Sequence, residues 1–458
     1  MKPTVRRALA ATTICAAVAA TLTAGPVASA QQGRAERPGK ITGYGYKGTA
    51  VGARLITGNV ENLSLREAEA PLRCTRKVDR VVDASGKLTA PENSLISLSE
   101  STSRTLSYAK NGRYGVRAVN TLGDITLGGT LPGQDESTPI VTLKGLQTTA
   151  DAFHTAQGYG HKESFTAPTL AIDVSVLTDN GVPIPPELTD LLDTLEQTGN
   201  QLTGQVIDVL QQAGAPIEIP QLGSIAMGYM KGHAGKYGAE SDTKALQFVI
   251  DATGEEQSLQ LGQARAVIGG PTPAGVFRST SMPLEVSALD GVLHFGAVKP
   301  KTIPCAGTRG RTAHRHLDSA SVAPGGLLIG ATDIDYTFMG RQRPDGSARG
   351  LEVQRIGEIS IPSLQLTLND IVARSTARMN RKGDITNGHS GSVGSITYQG
   401  ETVAAPGPGK TVNLGDIGYL EGLSFEKSSN TVTALRLTLV DENLVIDLAK
   451  AQSRIFAY

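Results

Sequence analysis

Two histidines and an aspartate in the sequence have a spacing that is typical of a metal site. His314, His316 and Asp318 alternate along the chain, and a His-x-His-x-Asp run supplies the first ligands in one class of zinc hydrolases. In those enzymes the run directly follows a buried strand and a further Asp-His pair completes the site. Here a Gly/Arg-rich stretch precedes the run and Ser319 follows it. Because metal sites need a rigid surrounding shell, we interpret these residues as part of a solvated linker.

Two further stretches contain residue types suited to catalysis or to calcium binding. Residues 388–392 are Gly-His-Ser-Gly-Ser, whereas a nucleophile elbow requires Gly-x-Ser-x-Gly at a strand-to-helix turn. We therefore interpret this stretch as the polar start of a strand. Asp333 and Asp335 alternate on a predicted strand and face the same side, but Ca²⁺ requires several more oxygen ligands. A solvated strand face is the simpler interpretation.

We accordingly predict no catalytic residue, no metal ligand and no cofactor. The other histidines have no spacing that demands a shared ligand, and the sequence lacks a phosphate-binding glycine loop and a Cys-x-x-Cys pair. Since β enzymes often assemble their sites from distant strands, the question of enzymatic activity stays open, with a non-enzyme favoured.

The cysteines predict one disulfide. Cys15 lies in an N-terminal apolar run, which leaves Cys74 and Cys305 as an even pair in the rest of the chain. Two unpaired thiols are the alternative, but an oxidising compartment favours a bridge. It would close a loop of about 231 residues (305 − 74). For a loop of this length, the chain-entropy model assigns the bridge a stabilisation of roughly 5 kcal/mol.

The N-terminus has the three parts of a secretory signal peptide. Basic residues stand between positions 2 and 7, an apolar run covers 8–22, and the small residues 28–30 form a cleavage site after Ala30. A membrane anchor is the alternative, which Gly25-Pro26 and the cleavage site disfavour. We expect a secreted protein that starts near Gln31 and has no transmembrane span in its mature part; general and twin-arginine export both stay open.

Composition narrows the classes of partner. The 458 residues carry 43 basic and 43 acidic side chains, so no electrostatic argument favours nucleic acid. Aromatic residues make up 4% and Trp is absent, which does not suit the stacked rings of a carbohydrate-binding surface. With 53 Gly and 39% hydrophobic residues, we expect a β protein with many tight turns and two ordinary domains.

Two pairs of similar hairpins predict an internal duplication. Residues 434–454 alternate between apolar and polar residues on both sides of an Asp-Glu-Asn turn, and residues 245–265 repeat this pattern 189 positions earlier (434 − 245). Hairpins at 140–176 and 364–399 are offset by 225 (366 − 141). The difference of about 36 (225 − 189) predicts extra residues in the first unit.

These extra residues have the pattern of a helical hairpin at about 183–214. Leucine and valine fall on one face of two short amphipathic stretches, and Pro185-Pro186 opens the first. We interpret the apolar stripe as cover for a sheet. The predicted fold is all-β, with two related β-sandwich-like domains and a helical-hairpin insertion in the first. Its parts are a signal peptide 1–30, a flexible leader 31–40, β domain 1 at 41–305, a linker 306–323 and β domain 2 at 324–458.

The second unit resembles the choice-of-anchor P family of secreted actinobacterial proteins. The resemblance rests on residues 391–403, 406–414, 430–439 and 445–451, which are mostly strand patterns, and it extends more loosely to the first unit. It implies a surface-associated protein and supplies no catalytic residues. Members are named for varied C-terminal anchors, and the sequence up to Tyr458 shows no anchor-like tail, which puts wall attachment in doubt.

Three hypotheses for function follow. The first is a non-catalytic extracellular module that binds a cell-surface component or a partner protein. The second is an extracellular hydrolase with its site at the junction of the two units, which a cleft with His or Asp/Glu would favour and a junction filled by Leu, Val and Ile would disfavour. The third is self-assembly through exposed edge strands.

Overall fold

The computed structural model describes ten ranges of the chain, and within them the protein is all-β. No α-helix occurs in these ranges, and all neighbouring strands pair in antiparallel fashion. The all-β prediction is therefore confirmed. The predicted signal peptide, leader and helical insertion at 183–214 lie outside the described residues. The described ranges are 40–57, 60–87, 96–98, 100–129, 138–166, 169–172, 217–219, 223–250, 257–288 and 294–457.

Twenty-nine strands are present in the described ranges, numbered here in chain order. The first twelve are β1 Ile41–Thr57, β2 Val60–Glu67, β3 Ala70–Lys77, β4 Val81–Gly86, β5 Ile96–Leu98, β6 Ser101–Lys110, β7 Arg113–Leu122, β8 Ile125–Gly129, β9 Thr138–Lys144, β10 Gln147–Thr155, β11 Gly158–Thr166 and β12 Thr169–Ile172. The next six are β13 Ile217–Ile219, β14 Gly223–Gly235, β15 Gly238–Ile250, β16 Gln257–Gly269, β17 Val276–Ala288 and β18 His294–Val298. The last eleven are β19 Ala313–Val322, β20 Ile329–Gln342, β21 Ala348–Ile361, β22 Leu366–Met379, β23 Ile385–Ser392, β24 Ser395–Tyr398, β25 Glu401–Val403, β26 Thr411–Asn413, β27 Gly418–Glu426, β28 Thr431–Leu439 and β29 Leu444–Phe456. Short 3-10 turns lie at Pro324–Gly326, Pro362–Leu364 and Gly415–Ile417.

The strands form four sheets. Sheet I has thirteen strands in the order β13-β14-β15-β16-β1-β2-β18-β17-β29-β28-β27-β26, with β3 also paired to β1. Sheet II runs β11-β10-β7-β6-β4 and sheet III runs β12-β9-β8-β5. Sheet IV runs β19-β20-β21-β22-β24-β25, with β23 also paired to β22. No helix among the described residues is long and apolar enough to cross a membrane.

The two hairpins predicted at 245–265 and 434–454 are present, and both lie in sheet I. Residues 245–265 fall in β15 and β16, which pair with each other, and residues 434–454 fall in β28 and β29, which do the same. Sheet I also crosses the predicted domain boundary, since β17 pairs with β29 from Val276–Phe456 to Ala288–Leu444. The two predicted units therefore share one sheet.

Two of the buried clusters among the described residues form the main cores on sheet I. Sheet II packs on its β1–β15–β16 part over a core of small residues, in which Ala118, Ala150 and Ala264 are fully buried. Sheet IV packs on its β17–β28–β29 part over a larger core rich in Leu, Ile and Val. The arrangement is that of two sandwiches joined through a common sheet.

The segment 306–323, which we interpreted as a solvated linker, contains a strand. β19 pairs along its length with β20 at the edge of sheet IV. Within β19 only Ala320 is buried, because an edge strand contacts the core with few of its side chains. The apolar alternation that identifies a strand in sequence is accordingly missing.

The predicted disulfide between Cys74 and Cys305 is present. It connects β3 to the segment after β18, and it packs against Val276 at the start of β17 and Phe456 at the end of β29. A Cβ on Gly45 would lie 2.6 Å from the Cβ of Cys305, so β1 approaches the bridge as closely as glycine allows. The bridge thus lies where the two parts of sheet I meet.

Removal of this disulfide is expected to destabilise the fold. The bridge joins residues 231 positions apart, so Cys74→Ala with Cys305→Ala should lower the free energy of unfolding by about 2–5 kcal/mol, through a less restricted unfolded chain. Urea unfolding followed by circular dichroism measures the loss. Reductant should shift the unfolding curve of the unmodified protein to lower urea concentration and leave the curve of the double variant unchanged. Superimposable curves for both proteins, each with and without reductant, would contradict the expectation.

Candidate functional site

The outward face of sheet IV carries a groove of about 380 Å³. The inward residues of its central strands, such as Ile334, Ile356 and Ile371, are fully buried in the core. Alternation places polar and charged neighbours on the opposite face. The groove is lined by His316, Thr332, Asp333, Asp335, Arg355, Gly357, Glu358, Asn369 and Asp370.

Local irregularities in three strands shape the groove. Asp333 and Asp370 have φ of 51°, in the left-handed region, and the cross-strand register skips both residues. Between them Gly357 has no side chain, and a Cβ there would lie 2.6 Å from the Cβ of Asp333. Burial alternation breaks at this point of β20, so the consecutive residues Thr332 and Asp333 are both exposed and both line the groove, together with Asp335 two positions further on.

His316 lies between two carboxylates. Its Nδ1 is 2.8 Å from Oδ1 of Asp335, the residue opposite it on β20, and its Nε2 is 3.1 Å from Oδ1 of Asp318. Only the imidazolium form donates from both nitrogens. The hydrogen bond to Asp335, followed by the charges of both aspartates, raises the pKa of His316 above its ordinary 6.5.

Arg355 and Asp370 form the next pair along the groove. The guanidinium Nη2 lies 2.6 Å from Oδ1 of Asp370, and this hydrogen bond raises the pKa of Arg355. The two side chains are 53% and 59% exposed, and pairs at such exposure contribute only about 0–1 kcal/mol to stability. Asp333 and Glu358 carry additional negative charge, so the groove is acidic overall.

The metal interpretation of residues 314–318 receives no geometric support. His314 does not converge with His316, because its Nδ1 lies 3.0 Å from the hydroxyl of Thr337. Both nitrogens of His316 are engaged by carboxylates. Among the described residues no group of three or more His, Cys, Asp or Glu side chains has the arrangement of a metal site.

The groove gathers residues that sequence reasoning left separate. In the sequence, His316 and Asp318 belong to one motif and Asp333 and Asp335 to another, whereas Arg355, Glu358 and Asp370 belong to no recognisable motif. Their common signal is the cross-strand register, which pairs His316 with Asp335 and Asp335 with Arg355. That register follows from three-dimensional pairing, which single-strand patterns do not contain.

The stretch 388–392 lies in β23, where it forms the end of this mostly exposed strand and not the start that we predicted. His389 is exposed and stacks on Phe425, with ring centroids 3.6 Å apart and an interplanar angle of 9°. Ser390 lies opposite Arg374 on β22.

The junction between the two predicted units is filled by apolar side chains. Leu284 and Val286 of β17 and Val298 of β18 belong to the same buried cluster as the isoleucines of sheet IV. Beside them, Glu352 on β21 is fully buried. Ser281 donates to its Oε2 at 3.0 Å, while its Oε1 has no partner among the described residues. Burial raises the pKa of Glu352 to about 8.

The buried Glu352 predicts a pH-dependent stability. Its folded-state pKa of about 8 exceeds the ordinary 4.5, so between these values the folded protein holds a proton that the unfolded chain releases. The free energy of unfolding should therefore fall by a few kcal/mol as the pH rises from about 4.5 to about 8. Glu352→Gln should flatten this slope in urea unfolding across that range, whereas exposed Glu401→Gln should keep it. Equal slopes in both variants would contradict the assignment.

The two carboxylates beside His316 predict how its pKa responds to mutation. Asp335→Asn should lower the pKa of His316, and Asp318→Asn should lower it less, because the hydrogen bond to Asp335 is the main cause of the shift. Since the folded-state pKa is raised, this interaction stabilises the fold below pH 6.5 and is lost as the pH rises through the folded value. NMR titrations of the His316 imidazole in the unmodified protein and in the two variants measure the order of the three pKa values. A larger effect of Asp318→Asn would reverse the assignment.

The fold and the groove define an all-β protein with a disulfide and an acidic, ion-paired site on one sheet face. No family model matches the chain, and no curated protein matches it. Among solved structures, the P. putida toluene transporter TodX is 10% identical over 91% of this chain and 90% of that one, with a TM-score of 0.12. A TM-score of this size carries no argument about fold or function.

Proposed function

We propose that the protein is a secreted, non-catalytic extracellular module that binds a cell-surface component or partner protein through the groove of sheet IV. The observation that carries this proposal is the acidic surplus of the groove. Asp333, Asp335, Glu358 and Asp370 line it together with a single arginine, Arg355. Such a surface fits a segment rich in Arg or Lys, whose side chains would pair with these carboxylates.

The geometry favours binding over hydrolysis. His316, which is the only histidine lining the groove, uses both nitrogens for carboxylates, and Arg355 is engaged by Asp370. At the junction, where the hydrolase hypothesis places its site, Leu, Val and Ile side chains pack beside the buried Ser281–Glu352 hydrogen bond. Glu352 lies there without exposure to substrate or solvent.

Secretion and ancestry belong to the same proposal. An N-terminal signal peptide cleaved after Ala30 would deliver the chain to an oxidising compartment, and the Cys74–Cys305 disulfide supports that location. We retain membership of the choice-of-anchor P family and origin from a duplicated β unit as proposals. The pair of similar hairpins in sheet I supports the duplication.

A basic peptide tests the groove. An arginine decapeptide with a fluorescent label should bind in an anisotropy titration, and more weakly at 0.5 M than at 0.05 M salt, because added ions screen exposed charges. Neutralising the groove with Asp333→Asn, Asp335→Asn, Glu358→Gln and Asp370→Asn together should weaken binding at least tenfold. The variant protein should keep the circular dichroism spectrum of the parent.

The matched control removes acidic charge elsewhere. Asp441 and Glu442 are exposed in the turn between β28 and β29, so Asp441→Asn with Glu442→Gln should change the affinity less than twofold. A glutamate decapeptide should not bind the groove. Equal losses in the groove variant and the turn variant would remove the groove as the binding site.

A further inference from the structure

Three arginines form a row across the other end of the same sheet face. Arg341 on β20 lies directly opposite Arg349 on β21, and Arg349 lies directly opposite Arg378 on β22. All three are exposed. None of the three guanidinium groups makes a hydrogen bond or ion pair with another residue that the structure describes. Like charges in direct cross-strand register are destabilising. No contact within the described fold offsets this cost for the arginine row.

The arginine row and the groove are placed symmetrically about one line of the sheet. Thr337, Val353 and Arg374 are mutually opposite on β20, β21 and β22 and mark that line. Each arginine of the row lies four positions to one side of it (341 − 337, 353 − 349 and 378 − 374). Four positions to the other side are the groove residues Asp333, Gly357 and Asp370 (337 − 333, 357 − 353 and 374 − 370).

The surface between the charged ends is partly apolar because β21 has an inverted pattern. Glu352 and Gln354 of this strand are fully buried, whereas Leu351 and Val353 point outward and are half-buried. Met339 lies opposite Leu351 on the same face. The centre of this face is therefore mixed, since Asp335, Arg355 and Arg374 lie among these apolar side chains.

We propose that the outward face of sheet IV is the interface of a homodimer. A two-fold axis along the Thr337–Val353–Arg374 line brings the face onto its own copy with the strand directions reversed. Arg341 of one copy then faces Asp333 of the other, and Arg378 faces Asp370. Arg349 of one copy faces Gly357 of the other, next to Glu358, and the same contacts recur at the opposite end, as an isologous contact requires. This inference rests on the proposed function, since it makes the arginine row of a second copy the basic segment that the groove binds.

The face has the size of a small interface. About the proposed axis, the residues that face their copies are 332–342 of β20, 348–358 of β21 and 369–379 of β22. With a rise of about 3.3 Å per residue and about 4.8 Å between strands, this overlap covers roughly 500 Å². A standard protein–protein interface buries about 800 Å² on each partner, so the proposed contact belongs to the small, reversible class.

One like-charge contact limits the dimer and provides a test of the axis. Arg374 lies on the axis line, so it meets Arg374 of the second copy. Arg374→Ser removes this contact and tightens the dimer, whereas removal of a surface arginine outside an interface leaves association unchanged.

Charge exchange tests the arrangement by sedimentation velocity over a hundredfold range of concentration. The unmodified chain dimerises, and its dissociation constant rises with salt. Arg341→Glu with Arg378→Glu makes both ends of the face acidic, and Asp333→Arg with Asp370→Arg makes both ends basic. Each variant alone dissociates at least tenfold more readily, and an equimolar mixture of the two forms a heterodimer. Lys110→Glu with Lys162→Glu, exposed positions on sheet II, leaves the dimer unchanged.

The outcomes separate this inference from the proposed function. A monomer at every concentration that still binds the arginine decapeptide through the groove overturns the dimer and leaves the binding module in place. A monomer that does not bind the peptide overturns both. A dimer that survives each charge exchange and does not respond to Arg374→Ser uses another surface, which also overturns the inference.

Discussion

The pairing of β17 with β29 is the interaction on which the rest of the fold depends. It joins the part of sheet I formed by the first 300 residues to the part formed by the last 50, in register from Val276–Phe456 to Ala288–Leu444. Without it, β17 would present a long unpaired edge, and the Leu- and Ile-rich core under sheet IV would lose one wall. Loop closure over such a separation costs conformational entropy. The Cys74–Cys305 bridge offsets part of that cost at the same place, and Arg278 of β17 reinforces it by donating from Nε to the carbonyl of Cys74 at 2.7 Å.

Net charge conceals how this protein distributes its charges. The 43 basic and 43 acidic residues sum to zero, which disfavoured a nucleic-acid partner at the level of composition. On the outward face of sheet IV, however, the register of three strands separates the two signs, with Arg341, Arg349 and Arg378 at one end and the acidic groove at the other. Electrostatic complementarity depends on such local separation and not on the sum.

Part of the structure is predictable from the sequence, and the physical reason is the strength of local alternation. Residues 434–454 bury their leucines on one face, and the β28–β29 hairpin follows directly. The disulfide was predictable because only two cysteines remain after the N-terminal apolar run. β19 was not, since an edge strand needs few buried residues. The groove was not, since it depends on pairing between strands and on the left-handed backbone of Asp333 and Asp370, which has no distinctive sequence signal.

The strand that departs most from its expected pattern is also the strand at the centre of the proposed interface. Alternation in β21 directs Glu352 and Gln354 into the core and Leu351 and Val353 outward, the reverse of what burial alone would select. A buried carboxyl with an unpartnered oxygen destabilises the fold, and so does apolar area left in water. Sequences are locally consistent with their folds except where another requirement acts. In the proposed dimer, a second copy would cover Leu351 and Val353, and this contact would account for apolar side chains on the outer face. Glu352 lies on the inner face of the same strand, in the core that β17 and β21 share.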